Sequence, residues 1–325
     1  MMPQGTKVVG KWTNTVLYVE QHLGSGANGQ VYLVRSPAGR AAMKVCPSSS
    51  DIAMEWGLLE KLSARSSVFP KPMFIDDCAP DLYFYVMEWI AGEPFHRAAK
   101  NLSPTQFHDV VGALLAGFAE LHATGHGFCD IKPENILVSA TTPPSIRFVD
   151  VGGVTQFGRS VRQYTPFYDR GFWGLGSRKA DASYDLCGVA LAVLFTSVQP
   201  PDVLLGKSPE QRKEWLWKAL RKFPSASYVP LIQRVLRGEV LDALQFQREW
   251  ARAGSATARS RKNVRAASAA HPPSRSTSAA TGKHRAAPSR RLHRQVDWTE
   301  WLMWTSLGMA VMVTMTAWAS FLGLL

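Results

Sequence analysis

The chain is 325 residues long, 46% hydrophobic and 19% charged, which is enough apolar mass for one large two-lobed domain with appendages. Its net charge of +12 is unevenly placed: eleven Lys or Arg and no Asp or Glu lie between Ala251 and Val296, so the rest is near neutral, a uniformly basic nucleic-acid-binding domain is excluded, and no nucleic-acid partner is expected. Four cysteines, Cys46, Cys78, Cys129 and Cys187, stand far apart without ligand spacing, which excludes a disulfide framework and a zinc site and points to a reducing compartment.

In chain order, the opening MMPQGTKVVGKW has no apolar core of signal-peptide length. Mixed globular composition from Lys11 to Trp250 marks one domain over 11–250. Val16–Glu20, Val31–Val34 and Ala41–Val45 are β-rich runs, the last two separated by the turn Ser36-Pro37-Ala38-Gly39. Asp51 to Leu62 reads as a helix with Leu58, Leu59 and Leu62 on one face, and Leu82–Met87 as a further strand. Ser103 and Pro104 look like an N-cap and first-turn proline. After them Phe107, Val110, Val111, Leu114, Leu115, Phe118 and Leu121 recur at helical spacing. Tyr184 to Phe195 is apolar nearly all round and should be a buried helix. A small β-rich lobe thus precedes a larger helical one, an α+β arrangement without internal repeats.

Residues 251–296 are rich in Ala, Arg and Ser, carry the pair Pro272-Pro273 and show no hydrophobic period. They read as a disordered basic linker. Trp301 to Leu325 is 25 residues without a charge, and a spanning helix needs about 20 apolar residues. Trp301 and Trp304 sit where an interfacial aromatic belt belongs. The expectation is a single transmembrane helix over 301–325, serving as a membrane anchor.

Three stretches carry chemistry. GSGANGQV, Gly24 to Val31, fits G-x-G-x-x-G-x-V between two strands, where backbone amides can approach phosphate oxygens with no side chain in the way. Thirteen residues after Val31, Lys44 stands on an apolar strand. A buried lysine there would want a carboxylate, and Glu55 shares its helix face with Leu58, Leu59 and Leu62, whereas Glu60 points elsewhere. FCDIKPENILV, residues 128–138, encloses Asp130, Lys132, Glu134 and Asn135 between apolar residues. Ionised groups held against a core are costly, and sites of chemistry are the usual exception.

Taken together, these stretches resemble a protein kinase of the eukaryotic-like Ser/Thr type, from Gly24 to about Arg237. The resemblance implies a two-lobed protein-kinase-like fold that uses ATP and Mg2+ on protein substrates. By it, Asp130 orients and deprotonates the substrate hydroxyl, Lys132 meets the transferred phosphoryl, and Lys44 pairs with Glu55. Asn135 and Asp150, the latter in Asp150-Val151-Gly152 twenty residues after Asp130, would hold magnesium. Gly24, Gly26 and Gly29 would cover the phosphates. The backbones of Glu88 and Ile90, after the gatekeeper Met87, would bond the adenine, which Val31, Ala42 and Leu137 would sandwich. Tyr164-Thr165-Pro166-Phe167-Tyr168 resembles the substrate-receiving segment, and Asp185 the buried aspartate of the central large-lobe helix.

The family pattern is broken at two places. Phe128 and Cys129 stand where the family has His-Arg, so no cation beside the base can pair with a phosphorylated activation segment. Arg170-Gly171-Phe172 occupies the place of Ala-Pro-Glu, so the salt bridge expected of Arg237 loses its carboxylate. Two other function classes compete: a pseudokinase acting as a membrane-tethered binding module, and a small-molecule kinase of the aminoglycoside type. Lys132 and Thr165-Pro166 favour protein substrates over the latter. The cations of 251–296 ahead of the apolar segment predict a single-pass, tail-anchored chain with its kinase domain cytoplasmic, the linker lying on anionic lipids.

Overall fold

The structure is a computed structural model that describes residues 1–255 apart from 27–28, 79–81, 140 and 142. A six-stranded antiparallel sheet is built first, in the order β1-β2-β3-β4-β6-β5. Its strands are β1 (Lys7–Val9), β2 (Val16–Gly26), β3 (Gly29–Ser36), β4 (Gly39–Cys46), β5 (Pro72–Cys78) and β6 (Leu82–Glu88), with helix α1 (Ser49–Ser63) inserted after β4. The central strand β4 is buried on both faces from residue 41 to 46. Strand alternation sends Ala41, Met43 and Val45 into an outer cluster with Leu17, Val19, Tyr32, Val34, Phe84 and Val86. The opposite set, Ala42, Lys44 and Cys46, faces α1 and the main core, which holds Leu59, Leu62, Tyr85 and Met87.

The second part starts with the short β7 (Glu93–Pro94) and α2 (Phe95–Asn101), then α3 (Pro104–His122). As its sequence predicts, α3 is capped by Ser103 and starts on a proline; Gln106 completes a reciprocal capping box. Its buried face is Val110, Val111, Leu114, Leu115, Phe118 and Leu121. Strands β8 (His126–Gly127), β9 (Ile136–Ser139), β10 (Ser145–Phe148) and β11 (Thr155–Gln156) frame the loops that carry the charged residues. Helix α4 (Ala182–Phe195) is buried at every position from Tyr184 onward, and α5 (Pro209–Leu220), α6 (Val229–Leu236) and a last helix over 243–255 close around it.

Regular structure extends beyond both ends of the expected 11–250 domain. Before Lys11, β1 pairs with β2, Val8 joins the outer cluster, and Gly5 and Thr6 exchange backbone hydrogen bonds with Val19. At the other end the last helix continues through 255, so the first five residues of the expected linker are helical. It is seated by Trp250, which donates from Nε1 to the His108 carbonyl at 3.1 Å and stacks on Tyr228 at 4.0 Å. Strand β5 was also not anticipated. Its alternation is broken by Asp76, which is buried because it binds the β1–β2 loop, accepting from the Trp12 and Thr13 amides at 3.0 and 2.9 Å and the Thr13 hydroxyl at 2.6 Å. Among the described residues no helix is long and apolar enough to cross a membrane. The apolar segment 301–325 and nearly all of the expected linker lie outside the described residues.

Candidate active site

Lys44 Nζ lies 2.6 Å from Glu55 Oε2 and 3.0 Å from Asp150 Oδ1, and the Lys44 and Glu55 side chains are only 4% and 3% exposed. The strand places the amine under the sheet and α1 brings Glu55 to it, while Glu60 of the same helix is exposed. Burial pushes the Lys44 amine toward its neutral form, but the charges of Asp150 and Glu55 outweigh it and hold the pKa above its ordinary value. Burial likewise favours the neutral form of Asp150, and the Lys44 charge with the Gly152 amide at 3.0 Å reverses this and holds it low. Tyr85, the cross-strand partner of Lys44, adds its hydroxyl to Glu55 Oε2 at 3.3 Å. This fourth member of the cluster is invisible to spacing, since only the β4–β6 register shows it.

The second group gathers around Asp130, which is 3% exposed. Lys132 Nζ is 3.4 Å from Asp130 Oδ2, and Asn135 donates from Nδ2 to the Asp130 carbonyl at 3.2 Å and to Oδ2 at 3.5 Å. Thr165 donates from Oγ1 to Asp130 Oδ1 at 2.9 Å, and Gln163 donates from Nε2 to Oδ2 at 3.2 Å. Neither of the last two contacts could be read from spacing, because they lie 35 and 33 residues along the chain. The Asn135 carbonyl accepts from the Val149 amide at 3.1 Å, which ties this loop to the segment carrying Asp150.

The loop is held from below by Asp185 on α4. Its carboxylate, 0% exposed, accepts the amides of Phe128 and Cys129 at 2.7 and 2.8 Å and faces His122 Nε2 at 2.9 Å. Cys129 sits at φ 64°, a left-handed conformation that a non-glycine residue adopts at a cost. Two carboxylate hydrogen bonds on consecutive amides offset that cost. Phe128 packs at a tilt on Phe148 at 4.9 Å and edge-on with Phe118 at 6.3 Å, so an aromatic ring fills the position beneath the base.

In the glycine-rich hairpin, Gly24 pairs with Val31 and Gly26 with Gly29. A Cβ added to Gly24 or Gly26 would meet nothing within 4 Å, so their backbones border open space, whereas one added to Gly29, at φ 132°, would strike the Val45 carbonyl. Of the expected adenine sandwich, Ala42 is buried and paired with Met87, Val31 packs against the main core, and Leu137 lies half-buried opposite Pro94. Ile90 is buried, while the Glu88 amide is already donated to the Lys71 carbonyl at 2.8 Å, which restricts Glu88 to its carbonyl for base recognition. The Glu88 side chain turns away to Arg147 at 2.6 Å.

Two ion pairs stand where the family has Ala-Pro-Glu. Arg170 holds Asp181 through both guanidinium nitrogens at 3.0 and 2.9 Å, and Asp169 holds Arg178 at 2.6 Å and the Tyr184 hydroxyl at 2.9 Å. Arg237 instead lies over the Trp217 ring at 5.9 Å. The carboxylate missing from the family position is therefore replaced locally rather than left as a gap.

The protein kinase domain family matches residues 17–202. Over 273 residues the chain is 34% identical to the serine/threonine-protein kinase YabT of Bacillus subtilis (strain 168), covering 81% of this chain and 78% of that protein. It is 28% identical over 148 residues to the probable serine/threonine-protein kinase PkwA of Thermomonospora curvata, covering 43% of this chain and 20% of that one. The structure of vaccinia related kinase 3 shares its fold at a TM-score of 0.56 and 14% identity, over 77% of this chain and 90% of that one. The chain belongs to the protein kinase family and is a protein kinase of the serine/threonine type.

Proposed function

We propose that this kinase transfers the terminal phosphoryl of ATP, with magnesium, to serine and threonine hydroxyls of protein substrates, and does so from a membrane. The observation that carries the catalytic part is the joint placement of Lys44 between Glu55 and Asp150 and of Asp130 among Lys132, Asn135 and Thr165. Phosphoryl transfer asks mainly for positioning and charge neutralisation. Lys44, kept cationic by its two carboxylates, supplies fixed positive charge for phosphate oxygens beneath the glycine hairpin. Lys132 supplies charge beside the base, for the group in transfer. Asp130 takes the proton of the substrate hydroxyl at a carboxylate oxygen, and the Thr165 hydroxyl fixes which way that carboxylate faces.

The donor chemistry fits magnesium. Asn135 turns its amide nitrogen to Asp130, which presents its oxygen as the ligating atom, and Asp150 adds a carboxylate. Two oxygen donors suit an ion that completes its shell with water and phosphates rather than with a protein cage. Magnesium, when bound, neutralises charge on the phosphates. For location, the uncharged stretch 301–325 forms a single-pass anchor, and the eleven cations of 251–296 keep the kinase domain on the cytoplasmic side against anionic headgroups.

The full-length chain should phosphorylate a generic basic protein in a magnesium-dependent reaction. Lys44→Met and Asp150→Ala should each lower kcat by about a hundredfold or more with the circular-dichroism spectrum unchanged. Activity within a few-fold of wild type in both variants would overturn this reading of the site.

A further inference from the structure

One contact on the base has no part in the reading above. Asp130 Oδ1 receives Thr165, and Oδ2 receives Lys132, Asn135 and the Gln163 amide at 3.2 Å. A carboxylate side chain turns broadly about its last torsion and offers about four lone-pair sites, so its facing depends on the donors around it. Lys132 and Asn135 come from its own loop. Gln163 and Thr165 come from a different segment, which is tied down by its backbone. There the Gly158 amide donates to the Ala180 carbonyl, the Ala180 amide to the Arg159 carbonyl, and the Val161 amide to the Arg178 carbonyl, all at 2.8 Å. Cys129, Val161, Ala180 and Tyr184 form an apolar cluster beneath this pairing.

We propose that Gln163 is a positioning residue for phosphoryl transfer, its amide acting with the Thr165 hydroxyl to clamp the Asp130 carboxylate from the side of the activation segment. The inference rests on the reading of Asp130 as the base. The clamp works because the two donors are two residues apart in the chain and land on different oxygens of one carboxylate, fixing the plane of the group as well as its direction. The amide is uncharged, so it orients the carboxylate without adding a third charge beside Lys132. Correct placement of the segment and correct facing of the base then become a single condition.

The test compares full-length Gln163→Met, Gln163→Glu and Asp130→Asn with wild type for kcat, KM for ATP and thermal midpoint. Met keeps the length and loses the donor; Glu keeps the shape and sets a second carboxylate against the first. With positioning, kcat falls about tenfold in Gln163→Met and about a hundredfold in Gln163→Glu, while KM for ATP and the thermal midpoint stay at wild-type values. Wild-type kcat in Gln163→Met, with Asp130→Asn inactive, would overturn the clamp and leave Asp130 as base. Equal losses in Met and Glu, accompanied by a lowered thermal midpoint, would reduce Gln163 to packing and overturn it as well. A fully active Asp130→Asn would instead remove the base reading on which the inference stands.

Discussion

Lys44 keeps its charge in surroundings that would normally strip it. Burial alone lowers a lysine pKa, and two carboxylates at 2.6 and 3.0 Å more than reverse that. A lysine pKa raised on folding contributes stability that is fully present below its unfolded value, about 10.4, and is lost only as pH rises through the folded value. The depressed Asp150 contributes above the ordinary carboxylate range and loses its share as pH falls through its folded value. The pair is therefore intact across the neutral range. Glu55→Gln keeps the side-chain shape and removes one buried charge, leaving Lys44 with Asp150 alone. It should cost about 3 kcal/mol in urea denaturation and lower kcat about tenfold. An unchanged denaturation midpoint would show that Glu55 is not the partner on which the buried amine depends.

At the scale of elements, the segment from Gly152 to Thr165 is braced by contacts within the protein. Its backbone pairs with residues 178–180, its C-terminal end reaches Asp130 through Gln163 and Thr165, and Cys129 packs beneath it where the family has a cation. Of its hydroxyls, Thr155 is buried and donates to the Gly153 carbonyl at 2.9 Å, while Ser160 is exposed. A phosphate on Ser160 would find no arginine at position 129 to pair with. Ser160→Ala should accordingly keep kcat within about twofold of wild type in the same assay; a large loss would show that the segment does need a charge to order it. The crossed pairs Arg170–Asp181 and Asp169–Arg178 continue this local bracing up to the start of α4, whose N-cap is Asp181 itself.

For the whole molecule, the domain is wider than its composition suggests. The first nine residues add an edge strand to the sheet and place Val8 in its outer cluster, and the last helix is pinned to α3 by Trp250, so the basic stretch leaves from a helix rather than from a loose end. The proposed anchor makes a prediction at this scale. Protease applied to intact cells or sealed right-side-out vesicles should leave the kinase domain whole until detergent is added. Digestion of that domain from outside without detergent would reverse the orientation drawn from the positive charge.

The sequence by itself determined the order of the chemistry: a glycine hairpin, a lysine on a strand, a carboxylate on a helix, and the Asp130-Lys132-Asn135 loop followed by Asp150. Each of these signals is short-range, a spacing within one loop or a period within one element, and such signals survive without knowledge of the fold. It also separated Glu55 from Glu60, because Leu59 and Leu62 mark the buried face of α1, with Leu58 half-buried at its margin. Only the tertiary structure decided what reaches across. Gln163 and Thr165 meet Asp130 because backbone pairing with 178–180 aims them, and Asp185 holds Cys129 in a left-handed turn from 56 residues away. The same holds for Arg170, which looks in sequence like the loss of an ion pair and in space makes a different one with Asp181. Side chains of this kind satisfy whichever partner the packing brings within about 3 Å, and the packing depends on the whole core rather than on any spacing in the chain.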